Sequence, residues 1–158
     1  MEDIRHLSEV LKSQVALYSE LAELMDCEKQ SIVSWAIDKT VELTKQKEVL
    51  LRRERIQEEA RNALFAKLAA KFGVEHLTLA DIIRNTSDED LSDTLQQLSD
   101  RLVELVGQIH TANLNLRMLY NTNSRLISDF FTAVGLSNGN AYGPKAGQNR
   151  PSTTYGIV

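Results

Sequence analysis

Proline and glycine are nearly missing from most of this 158-residue chain, and residues 1–72 contain neither. These are the strongest breakers of regular structure, so their absence leaves a long stretch free to be helical throughout. Cysteine is reduced to Cys27, which excludes a disulfide framework and a cysteine metal cluster and suits a reducing cytoplasm. No apolar run approaches the roughly 20 residues that a bilayer-spanning helix needs, so no membrane insertion is expected. The opening Met1-Glu2-Asp3-Ile4-Arg5 carries acid where a signal peptide carries base, and no apolar core follows it. A basic excess is lacking as well. The net charge of -4 and pI near 5.4 argue against general nucleic-acid binding, which needs a concentrated basic face.

The sequence is equally poor in catalytic signatures. It has no Gly-rich phosphate loop, no G-x-S-x-G and no kinase motif. His6, His76 and His110 stand far apart, without a second His, Cys or acidic residue at ligand spacing, so neither a metal nor another cofactor is expected. His110 on a helix invites a phosphotransfer reading, but Thr111-Ala112-Asn113 follows it where that chemistry uses Lys and Gly. The mixed run Arg52-Arg53-Glu54-Arg55-Ile56-Gln57-Glu58-Glu59 reads as a solvated helix face with weak ion pairs. The chain does not read as an enzyme.

What is present is a seam. Leu91, Leu95, Leu98, Leu102, Leu105, Ile109, Ala112, Leu116, Leu119, Asn123, Leu126, Phe130 and Ala133 alternate four- and three-residue steps without a slip. That 3.5-residue period predicts one helix over 88–134, roughly 70 Å long, whose apolar edge stays turned toward a partner helix. Ser87 is the expected start and Gly135 the expected end.

A similar count begins at Ile4 with Leu7, Leu11, Gln14, Tyr18, Leu21, Met25, Glu28, Ile32 and Trp35. It continues in phase through Lys39, Val49, Ile56, Ala63 and Ala70, although polar residues interrupt it. Two readings follow for the long helices within 3–72. The unbroken phase favours one continuous or merely kinked helix, whereas Asp38 offers a cap for a second helix after a turn near 37–38. Gly73 stops the segment, and Thr78 caps a short helix over 79–84 that returns the chain. The expected fold is all-α, an elongated antiparallel coiled-coil-like helical bundle spanning 1–134. Residues 135–158 hold five of the seven glycines, both prolines and no acid, and read as a flexible tail.

The end of the long helix carries more apolar surface than one neighbour covers. Beside Leu116, Leu119, Leu126 and Phe130 stand Leu114, Tyr120, Ile127, Phe131 and Val134, with Asn123 in the seam. A third helix, a homodimer or a groove for an amphipathic client segment would each account for it.

The Leu/Glu-rich start, the segment Lys47-Glu48-Val49-Leu50-Leu51, the late helix with Asn113, Asn115, Asn121 and Asn123, and a tail with Tyr142-Gly143 and then Gly147-Gln148 are shared features. On these the whole chain resembles the FlgN family of flagellar type III export chaperones. Pro144-Lys145-Ala146 makes the tail interval one residue longer than the family pattern. The resemblance implies a non-enzymatic cytoplasmic chaperone. It would bind the C-terminal segments of the hook-associated proteins FlgK and FlgL, prevent premature assembly, and deliver them to the export gate. It further implies client binding by the C-terminal region, here Leu116, Leu119, Tyr120, Asn123, Leu126, Ile127, Phe130, Phe131 and Val134. Tyr142 matches the tyrosine linked to docking on the gate protein FlhA. The alternative is a structural coiled-coil scaffold or tether.

Overall fold

The computed structural model describes residues 2–135, which form four helices and, among the described residues, no strand. Helix α1 spans Glu2–Val33, α2 Ile37–Phe72, α3 Leu79–Arg84 and α4 Glu89–Ala133. The described residues fall into two units, one up to Asn123 and one that begins at Ser124. The expected tail, including Tyr142, lies outside the described residues.

The continuous first helix is not what forms. α1 ends at Val33 and the chain reverses through Ser34-Trp35-Ala36. Trp35 sits at φ 56°, its N–H donates to the Ile32 carbonyl at 3.2 Å, and Ala36 N–H donates to that of Ser31 at 2.9 Å. This pair of bonds is the glycine-type helix stop, built with tryptophan in the left-handed position. Helix α2 then starts at once. Its N-cap is Ala36, without a side-chain bond, and Asp38 lies in the first turn, where its charge favours the helix N-terminus. Asp38 is therefore not the cap.

The turn also resets the phase. The positions that continue the α1 count, from Lys39 through Val49, Ile56 and Ala63 to Ala70, all face solvent. The buried edge of α2 runs instead through Leu50, Leu64 and Leu68, with Leu43 half-buried. Polar groups fill its remaining steps, and they pair with α1 in antiparallel order. Ser31 Oγ lies 2.8 Å from Thr40 Oγ1, Lys47 Nζ 2.5 Å from Glu28, Tyr18 donates to Glu54 at 2.9 Å, and Gln57 donates to Ser13 at 2.7 Å. At the far end Lys67 and Lys71 both bind Asp3, and their hydrogen bonds lower its carboxyl to about 2.

The later stops match the sequence. Gly73 closes α2 at φ 66°, with Gly73 and Val74 donating to Ala70 and Ala69. Thr78 and Asp81 form a reciprocal capping box on α3, and the buried Ile82 anchors that short helix in the core. For α4 the cap is Asp88 rather than Ser87: its carboxylate accepts from Leu91 N–H at 3.2 Å. A carboxylate at the cap satisfies an orphan donor of the first turn, as a serine would, and also brings charge to the helix dipole.

Helix α4 lies alongside α1 in the same direction, because Asp88 approaches Arg5 at 3.8 Å and Tyr120 donates to Glu28 at 2.7 Å. It is antiparallel to α2. Two apolar clusters result. Ile4, Leu7, Leu11, Leu64, Leu68, Ile82 and Leu95 form the first; Leu17, Leu21, Leu24, Met25, Ile32, Leu50 and Leu116 form the second. Each fully buried leucine contributes about 1.5–3 kcal/mol, so the clusters carry the bundle.

Candidate functional site

The α4 seam was expected to be buried against a partner, and over most of its length it is. Leu95, Leu105 and Leu116 are buried, and Leu98, Leu102, Ile109, Ala112 and Leu119 pack half-buried around them. Asn123, the polar step, is half-buried. Of the residues proposed to bind a client, Leu116 thus belongs to the second cluster and Leu119 packs against it.

Tyr120 has a different environment. The residue is 42% exposed, yet its hydroxyl donates to Glu28 Oε1 at 2.7 Å while Lys47 holds Oε2 at 2.5 Å. The Glu28 side chain is only 1% exposed, so its charge depends on these two partners from two other helices. Burial, and then the bond to Glu28, raise the Tyr120 hydroxyl above its ordinary range. The sequence places Glu28 in the α1 seam, but its partners are 19 and 92 residues away and no local signal marks them.

Beyond Asn123, the segment Ser124–Gly135 presents the remaining five. Leu126 is 54% exposed, Ile127 46%, Phe130 62%, Phe131 46% and Val134 48%. On a helix these positions fall within an arc of about 140°, while Arg125, Ser128, Asp129 and Thr132 occupy the other side. The Phe130 and Phe131 ring centroids lie 5.9 Å apart at 69°. Gly135 ends the helix at φ 71° with its N–H donating to Thr132, so the stripe sits on closed, regular helix. Such a surface offers apolar anchors and no reactive group. It can receive another amphipathic helix.

The histidines among the described residues are dispersed along the chain. No cluster of His, Cys, Asp and Glu could hold a metal ion there, and His6, His76 and His110 are all exposed. The groove between α1 and α4, about 480 Å³, is lined by Ala22, Met25, Thr111 and Ala112 among others, and no histidine reaches it. No helix among the described residues is long and apolar enough to cross a membrane.

Residues 1–150 match the family model described as FlgN protein, a span that includes all four helices and the tail positions Tyr142-Gly143 and Gly147-Gln148. No curated protein and no solved structure matches the chain.

Proposed function

The chain belongs to the FlgN family, whose membership implies a role as a flagellar export chaperone, and from that premise we propose the following function. The protein acts without catalysis in the cytoplasm, binds the C-terminal segments of FlgK- and FlgL-type hook-associated proteins, keeps them unassembled and hands them to the export gate. The observation that supports this reading is the uncovered apolar stripe from Leu126 to Val134.

An unassembled axial subunit has apolar helical termini that would pair with their own kind. A client helix laid on the stripe buries Leu126, Ile127, Phe130, Phe131 and Val134. Each side chain fully covered contributes about 1.5–3 kcal/mol, from which the ordering of the client is subtracted. The balance is a modest affinity, which suits a partner that must be released without ATP chemistry on the chaperone. Aromatic edges add geometric selectivity for rings or methyls of the client. Leu116 and Leu119 are closed in the free bundle, and Tyr120 enters the site only with its ring. Tyr142 serves as the contact to FlhA, so Tyr142→Ala should leave client capture intact and weaken gate docking.

The test is titration calorimetry with a C-terminal FlgK segment. Replacing Leu126, Phe130 and Phe131 with serine should weaken binding at least about 100-fold while thermal unfolding moves little, since all three are exposed. Binding at full strength contradicts the proposal. A scaffold is the second reading that the same stripe supports. It predicts a homodimer stable at micromolar concentration that client does not dissociate, and light scattering separates the two.

A further inference from the structure

The core of residues 2–123 falls into two apolar clusters with a polar layer between them on α1 and α2. On α1 the first cluster ends at Leu11 and the second begins at Leu17. Between them Gln14 is wholly buried, and neither end of its amide bonds to a protein group. Gln57 of α2, which donates to Ser13 from its amide nitrogen, leaves its own buried Oε1 unpaired. Near this level α2 carries Glu54, Gln57 and Arg61 rather than apolar seam residues. On α4 the first cluster ends with Leu102 and the second resumes at Ile109, and the buried Leu105 between them belongs to neither.

The two sides of this layer are built unequally. The first cluster draws on all four helices and is closed by Ile82 and the connection through α3. In the second, α4 supplies the buried Leu116, the half-buried Ile109, Ala112 and Leu119, and the Tyr120–Glu28 bond. A continuous leucine core opens as one piece, because no cut through it is cheaper than another. A buried amide without a partner makes such a cut cheap: separating the helices there returns the amide to water and recovers hydrogen bonds the closed state lacks.

We propose that the Gln14 layer is a built-in hinge, at which α4 from Ile109 to Asn123 leaves the α1–α2 hairpin while the first cluster stays closed. Opening frees Leu116, Leu119 and the Tyr120 hydroxyl. If the client-binding reading holds, on which this consequence alone rests, the hinge is the step that admits client to those residues.

Native-state hydrogen exchange on the full chain without client tests the hinge separately from that reading. Amides of 109–123 should show protection at least about tenfold below those of 95–102. Gln14→Leu, or Gln14→Met where leucine does not repack, should close most of that gap by making the core continuous, whereas simple fraying of the helix end would be unaffected. Equal protection of the two stretches in the wild-type chain overturns the hinge, and so does a gap that persists undiminished in a folded Gln14 variant. Failure of FlgK binding would remove the client-binding reading and leave this result untouched.

Discussion

Two stretches of α4 carry the same sequence pattern and meet opposite surroundings. From Leu91 to Asn123 every seam position is buried or half-buried; at Leu126 and Phe130 the same count emerges more than half exposed. Period alone therefore specifies an edge that wants a partner, and the partner has to come from elsewhere. In the first stretch it is the α1–α2 hairpin. In the second no side chain of the described residues closes over the edge, which is the physical reason to look for an intermolecular one.

That contrast can be broken most forcefully by truncating one leucine in each stretch. Leu116→Ala should cost about 2–5 kcal/mol in urea unfolding, because it empties a packed site, whereas Leu126→Ala should cost under about 0.5 kcal/mol. Similar costs at both positions would mean that Leu126 is covered in solution. Next in size is the polar node that holds the first stretch to the hairpin. Lys47→Met strands the buried Glu28 charge and should cost about 3 kcal/mol. Tyr120→Phe removes one bond from the same carboxylate and should cost about 1–2 kcal/mol.

The smallest effect is in alkaline solution. Burial, and then Glu54 accepting its hydroxyl, push Tyr18 up to about 12, and Tyr120 is raised for the same reasons. A raised folded pKa means that the stabilisation is complete below the ordinary tyrosine range near 10 and disappears as pH rises through the folded values. Helicity followed by circular dichroism should therefore hold to about pH 10 and decline toward 12, with tyrosinate absorbance rising in step. Tyrosinate that forms fully near pH 10 in the folded chain would show that these hydroxyls are solvated.

Legibility in the sequence followed the locality of each cause. Gly73, Thr78 and Gly135 act within one turn of themselves, and they ended or began helices where the sequence places them. The α4 seam is likewise a property of one segment. The reversal at Ser34-Trp35-Ala36 was hidden because a tryptophan holds the left-handed position that glycine normally advertises, and because Ala36 caps α2 without a side-chain bond. Three residues of turn then shifted the buried edge of α2 to Leu43, Leu50, Leu64 and Leu68, so the count carried forward from α1 fell on solvent. The Glu28–Lys47–Tyr120 node could not be read at all, since it exists only once three helices meet. Of the candidate site, the apolar surplus was legible and its division was not: Leu116 and Leu119 serve the core, while Leu126 to Val134 stay open.

Site-specific photo-crosslinking addresses the central claim most directly. A photoreactive side chain placed at Phe130 should capture the C-terminal segment of a FlgK-type client, and one placed at Val103, which is 72% exposed elsewhere on the same helix, should not. Capture at Val103 with none at Phe130 would contradict the account.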